Sequence, residues 1–460
     1  MKKLVSILCA AALALSLAAC GAESHSGGGD AKAAVYSLES ATTFTFSDSG
    51  ITAQDGSYTG YEIDGTTLTI DGAGAYVVTG TCADGSIQIK KGTTGVTLAL
   101  NGLALTSADT APILCGKSTE LVIVAADGST NSLTDAAENN DDSYPDNTEA
   151  ENAVIKCKDG AQVTLCGGGA LTINANGKNG IKSGASTTEE GEASLTIREL
   201  TLTINAPVND AINAQQLLNV ESGTLTIFAA DDAIHSDLVL NIGGDGTDGP
   251  TIAITECYEG IEAAELNVLS GNIDILSSGD CLNAANSDLS GYAFSMNISG
   301  GVITACSSSG DGFDSNGDLT ISGGTVAVWT ANTADNQPLD ADGAITVSGG
   351  TVLAAGGSAG MGMNLTAEQP CVTALCNASF VFFSSPELTA DGSYTLTAGD
   401  TSLTATAQTG SISSGGMGGP GNGGQRPGDR DGGQQAPDFS GGGQPPERPG
   451  SQQSGTAQNS

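Results

Sequence analysis

Five carboxylates recur at one place in a repeated phrase: Asp210, Asp232, Glu259, Asp280 and Asp311 each stand two residues before a large apolar residue. The position just after that apolar residue adds Glu262 and Asp314, and Asp231 and Asp237 flank the second of these copies. Acids held in register cannot all stay ionised without a cation among them. An all-oxygen donor set in flexible geometry suits calcium, which takes about six to eight oxygen ligands. Calcium is therefore the expected cofactor, with Asp210, Asp231, Asp232, Asp237, Glu259, Glu262, Asp280, Asp311 and Asp314 as its ligands and the side-chain oxygens of Asn213 and Asn283 assisting. Asp and Asn also terminate turns. That alternative applies to the acid two before the apolar residue, but no turn explains an acid at the outward position. Asp340 and Asp342 extend the pattern once more, with Gln337 replacing the earlier acid and weakening the site there.

The phrase itself occurs nine times, beginning at Ile113, Ile155, Ile181, Ile212, Ile234, Ile261, Leu282, Phe313 and Leu339, and reads large apolar, variable, small. From Ile155 on, copies follow at intervals of 21 to 31 residues. Between copies lie two short runs with period-two alternation split by a glycine turn, such as Leu319-Thr-Ile-Ser-Gly-Gly-Thr-Val-Ala-Val328. None has the length or the i, i+3, i+4 spacing of a helix. Three short strands per repeat describe one coil of a parallel β-helix, each strand pairing with its equivalent one coil away. The large and small residues of the phrase then point inward and the variable residue outward. A β-sandwich also has many short strands, but it rarely repeats one residue column so often. The stack is expected from about Ile87 to about Met363, with residues 40–85 and 371–408 as caps and the acidic loop Asp135–Glu151 projecting from it.

Met1-Lys2-Lys3 followed by the apolar run Leu4–Ala19 reads as a secretory signal, 1–19. Its end, Leu17-Ala18-Ala19-Cys20-Gly21, resembles the lipobox of bacterial lipoproteins, which implies acylation of Cys20 and anchoring on the extracellular face of the bacterial cell membrane. Residues 20–39 then form a flexible tether and 40–410 the folded domain. The Gly/Pro/Gln-rich tail 411–460 is expected to be disordered. Beyond Cys9 and Cys20, nine cysteines remain without paired CxxC spacing, which argues against zinc. Cys115 and Cys157 share the inward small-residue column and are expected to stack as thiols, with a bond between them as the alternative.

The formal charge is −38, and no Lys or Arg occurs between Arg198 and Arg426, where 25 Asp and Glu fall. Phosphate binding requires cations, so nucleic acid is excluded as a partner of this face. Contact with a membrane is expected only through the N-terminal lipid, and the protein is expected to be a monomer.

Taken in series, Asp231-Asp-Ala-Ile-His-Ser-Asp237, Tyr258-Glu-Gly-Ile-Glu-Ala263 and Gly310-Asp-Gly-Phe-Asp-Ser-Asn316, joined by Leu-Thr-Ile-Ser-Gly-Gly-Thr units, resemble the secreted bacterial carbohydrate-binding β-helix proteins that bind calcium, pectin and cellulose. The resemblance covers residues 60–365. It implies an all-β, right-handed, single-stranded parallel β-helix similar to pectate lyases, with the acids named above as calcium ligands and non-catalytic polysaccharide binding. The chain departs from the family pattern at Cys281-Leu282 and at Gln337-Pro338, which puts the sites on those coils in doubt.

An acidic polysaccharide such as polygalacturonate carries a carboxylate per sugar, so a negative surface repels it unless divalent ions bridge protein and ligand oxygens. Stacking of sugars on aromatic rings is poorly supplied, with aromatics at 4% and Trp329 the single tryptophan. The expected function is therefore calcium-mediated binding of acidic polysaccharide (pectin, with cellulose as a further ligand), without cleavage. A calcium-dependent lyase needs a base beside the calcium, and Lys178 and Lys182 at the border of the acidic face are the candidates. The polygalacturonase motifs are absent. His235, the single histidine of the folded part, has no activated serine signature nearby. A structural or adhesive surface protein is the third reading.

Overall fold

The computed structural model describes residues 36–413 except 55, 188–192, 245, 332–335, 358–363, 377–378 and 399–400. The described residues belong to one compact unit, Met1–Gly416; a second, Met417–Ser460, lies outside them, as do the expected signal, the Cys20 lipid site and most of the expected tail. Among the described residues there is no helix.

The short β-branched runs form strands, and through the stack each pairs in parallel with its equivalent one coil on, two or three strands further along the chain. A first column runs Ile113–Cys115, Ala153–Cys157, Asn179–Ser183, Ile212–Ala214 and then the starts of Ile234–Ile242 and Ile261–Val268. It continues through Leu282–Ala284 and Phe313–Ser315 to a single bridge at Leu339. The second column includes Gln162–Cys166, Ser194–Ile197, Leu217–Val220, Ser295–Ile298 and Asp318–Ile321. The third includes Thr201–Ala206, Thr224–Ala229, Thr251–Glu256, Asn272–Ser277, Val302–Ser307, Thr325–Thr330 and Thr351–Gly356.

Alternation sends every second residue inward, where like stacks on like. Leu195, Leu218, Leu240, Leu266, Met296 and Leu319 succeed one another in the second column, and all are fully buried. The phrase behaves the same way: its first and third residues are buried, and its middle residue faces out in most coils. Cys115 and Cys157 lie side by side as free thiols. The turn between second and third columns needs glycine. Gly324 has φ 79°, and a Cβ there would come within 2.7 Å of the Gly300 carbonyl oxygen of the preceding coil.

Two boundaries differ from the sequence expectation. The stack starts before Ile87: Thr67–Ile70 already pairs in parallel with Ser86–Ile89, and Gly74–Cys82 with Thr42–Ser47 and Val96–Ser107, so only two hairpin pairings in 42–70 are antiparallel. The acidic loop is anchored at its base, with residues 141–146 exposed beyond it. Asn139 and Asn140 are buried and donate to Asp135 Oδ2, the Ala153 carbonyl and the Gly177 carbonyl at 2.8–2.9 Å. At the far end, Asn364–Cys376, Ser379–Ser384 and Gln408–Ser413 turn antiparallel, so residues 411–413, assigned by composition to the tail, are paired strand.

Candidate acidic site on the first column

Parallel register places the acids in two adjacent rows. The row before the strand is tied coil to coil by backbone bonds: Gly180, Ala211, Ala233, Gly260, Cys281 and Gly312 N–H groups donate to the carbonyls of Asp210, Asp232, Glu259, Asp280, Asp311 and Gln337. The outward row on the strand reads Lys156, Lys182, Asn213, His235, Glu262, Asn283 and Asp314 in register. Charge therefore runs from positive to negative along one line.

The nine expected ligands do not form one cluster. In the first group, carboxylate oxygens of Asp210, Asp231 and Asp232 lie within 4.8 Å of one another. Asp210, almost fully buried, accepts from Asn213 Nδ2 at 2.7 Å and from the Asp232 N–H at 3.3 Å. His235 sits among the rest: its Nδ1 meets Asp232 Oδ2 at 3.0 Å and Glu262 Oε1 at 3.7 Å, and its Nε2 meets Asp237 Oδ1 at 2.9 Å. With a carboxylate at each ring nitrogen, both nitrogens carry protons. Burial alone would lower the pKa of His235, but hydrogen bonds to Asp232 and Asp237 and the charges of Asp232 and Glu262 raise it to about 11. Three of the nine, Asp232, Asp237 and Glu262, thus converge on an imidazolium.

Burial pushes Asp232 up to about 6, and burial with the neighbouring Glu259 pushes Glu262 up to about 9. Asn283 closes this group by donating from Nδ2 to Glu259 Oε2 at 3.0 Å and Glu262 Oε2 at 3.4 Å.

The second group comprises Asp280, Asp311, Asp314 and Asp340. Ligand oxygens of Asp311, Asp314 and Asp340 lie within 4.8 Å of one another. Asp280 Oδ1 accepts the Asp311 N–H at 2.6 Å, and Asp311 Oδ1 accepts the Gln337 N–H. Burial raises Asp280 to about 6, and burial together with the charges of Asp280, Asp311 and Asp340 raises Asp314 to about 7. Among the described residues two buried amide oxygens of these coils have no donor: Asn283 Oδ1, on the residue directly across the ladder from Asp314, and Gln337 Oε1, on the residue whose backbone N–H meets Asp311. Such oxygens are costly unless something positive meets them. Three converging carboxylates with a neutral amide across the ladder are the kind of oxygen set calcium takes, so the residues present fit that ion better here than around His235.

Sequence reasoning passed over two participants. His235 stands in the outward column next to Glu262, and that position is the signal that could have found its role. Lys156 is itself the middle residue of a phrase copy, in register with Lys182. Its pKa is lowered, chiefly by burial and then by the charge of Lys182. Of the two lysines expected as bases, Lys178 is paired with Asp142 of the acidic loop.

Comparison with known proteins adds the class. A family described as carbohydrate-binding domain-containing protein matches residues 64–360. The chain belongs to this family. A carbohydrate-binding domain-containing protein of Acetivibrio thermocellus is 38% identical over 109 residues, which span 24% of this chain and 37% of that relative. A solved structure described as the polysaccharide lyase-like protein from C. thermocellum, a gadolinium derivative, is similar at 23% identity with a TM-score of 0.34, covering 67% of this chain and 92% of that one. In this carbohydrate-binding domain the matched span contains both acidic groups and the two lysines.

Proposed function

We propose that the protein binds acidic polysaccharide of the polygalacturonate type without cleaving it, through calcium held on the acidic face of a right-handed parallel β-helix. In this reading a lipid on Cys20 displays the domain outside the cell. Family membership supports carbohydrate as the partner. The observation that carries the choice of an acidic glycan is the second group: three carboxylates brought within 4.8 Å, with Asn283, whose buried Oδ1 has no donor among the described residues, across the ladder from Asp314. A cation there presents its remaining coordination positions to a uronate carboxylate, which the bare face would repel.

The test is binding of polygalacturonate to the full chain with calcium and with chelator. Binding should require calcium and weaken at least tenfold in Asp314→Asn. Calcium at ~100 times its dissociation constant should add ~2.7 kcal/mol of stability per independent site, read as a higher Tm. Binding that is indifferent to chelator and to Asp314→Asn would overturn the reading.

One observation favours a second reading, a calcium-dependent lyase: Lys156 is desolvated beside Lys182 on the column that leads to the acids. A lysine with a lowered pKa is suited to abstract a proton. Release of unsaturated uronate, seen as new ultraviolet absorbance and lost in Lys156→Ala or Lys182→Ala, would establish that reading in place of simple binding.

A further inference from the structure

The third column carries an outward strip unlike the acidic face. Leu276, Cys306 and Trp329 are consecutive partners in the ladder, so they line up along the stack at ~4.8 Å per coil. Leu276 is 50% exposed and Trp329 36%, and Cys306 is exposed as well. On the coils before Leu276, Phe228 and the half-exposed Tyr258 join Leu276 in the wall of a groove of about 440 Å³. Large apolar side chains gathered at one place on a soluble surface mark a binding site more often than scattered ones do.

The rest of the lining shows what would fit. Thr255 and Ser278 already donate their hydroxyl protons to the carbonyls of Ile227 and Cys257, which leaves their oxygens as acceptors. Among the described residues that line the groove, Glu256 is the one charged side chain and there is no cation. A polyanion would meet a carboxylate without compensation. An uncharged glycan would not: its C–H faces cover the rings and Leu276, and its hydroxyls donate to the rim, the arrangement of apolar floor and few polar groups usual in ligand sites. A straight strip whose step is close to the length of one pyranose unit suits an extended, ribbon-like chain, as equatorially β-linked sugars form.

We propose that Leu276, Trp329, Tyr258 and Phe228 form a second glycan-binding surface, for uncharged β-linked polysaccharide, separate from the acidic face. The proposal rests on the carbohydrate-binding reading but not on calcium. Trp329 is the only tryptophan, so its fluorescence reports on the strip directly. Titrating the full chain with soluble mixed-linkage β-glucan in chelator should shift that emission and protect it from a water-soluble quencher. Leu276→Asp, which keeps the tryptophan and changes only an exposed position, should weaken β-glucan binding at least tenfold while leaving calcium-dependent polygalacturonate binding unchanged; Trp329→Ala should do the same in native affinity gels.

Unchanged emission in wild type, with polygalacturonate still bound, would overturn the strip alone. Loss of both ligands in Leu276→Asp with an intact fold would mean one shared site and overturn the separation. A dimer in sedimentation that Trp329→Ala dissociates, without glycan binding, would make the strip a contact between copies and overturn the glycan assignment. Failure of polygalacturonate alone, with β-glucan bound, would refute the calcium reading and leave the strip.

Discussion

Asp135 is fully buried, and three donors hold its carboxylate: the Asn176 N–H at 2.7 Å, the Gly177 N–H at 3.1 Å and Asn139 Nδ2 at 2.9 Å. Burial nevertheless outweighs these bonds and raises it from 3.8 to about 6. A folded-state pKa above the unfolded value means the stabilising contribution is complete below the unfolded pKa and is lost as pH rises through about 6. We therefore predict that Asp135→Asn gains on wild type between pH 4 and 7 by up to about 3 kcal/mol, the equivalent of roughly two pKa units. Urea unfolding across that range checks it, since every other titrating group is common to both proteins; a pH-independent difference would refute it. At this scale the positions of the acids were legible, because a period-two strand at a fixed repeat dictates which residue faces out. What the acids do was less so. That His235 bridges Asp232 and Asp237, or that Asn283 Oδ1 is left without a donor, depends on which way each side chain turns, and spacing does not encode that.

Strand pairing in register does more than align charges. On the outer side of the second column Asn219, Asn241, Asn267 and Asn297 form a continuous ladder, each amide donating to the oxygen of the one before at 2.9 Å, 3.0 Å and 3.1 Å. Replacing Asn267 by Ala removes one bond on each side and leaves Asn241 Oδ1 unmet. A loss of about 1–2 kcal/mol is expected for such a partly exposed pair of bonds, measurable as a lower Tm. No change in Tm would show that water substitutes for the ladder. The columns were readable from Ile113 onward because each coil repeats the same phrase. The earlier coils were not: the hairpin pairing of Tyr61–Asp64 with Thr67–Ile70 breaks the period and hides that Thr67–Ile70 already belongs to the parallel stack. The acidic loop was legible only beyond its base. Its composition is that of a solvated segment, but Asn139 and Asn140 anchor it through backbone carbonyls that no sequence pattern announces.

Taken whole, the stack has two ends that differ from its middle. At the C-terminal end Asn364–Cys376 still pairs in parallel with Ile345–Val347, while Ser379–Ser384 lies antiparallel on both Thr351–Gly356 and Asn364–Cys376, and Gln408–Ser413 antiparallel on Asn364–Cys376. Without them Thr351–Gly356 would present unpaired backbone, a template for pairing with another copy. A protein ended after residue 357 is therefore expected to associate, seen as a concentration-dependent increase in light scattering, whereas the full chain stays dispersed under its charge of −38. A monodisperse truncated protein would show that the cap is dispensable.

In the repeating body of the stack, each strand's parallel partners lie only one coil before and one coil after it. Such a chain behaves as a one-dimensional array, in which stability is a sum over neighbours. A whole coil can then be copied or lost without disturbing any pairing beyond its two borders, provided register is kept. The acidic loop between Thr130–Asp135 and Ala153–Cys157 shows that insertions between strands are accommodated as well, since parallel pairing resumes on either side of it. The unit on which descent can act in this molecule is thus the coil, and the number of acid-bearing coils can change by one while the rest of the protein stays as it is.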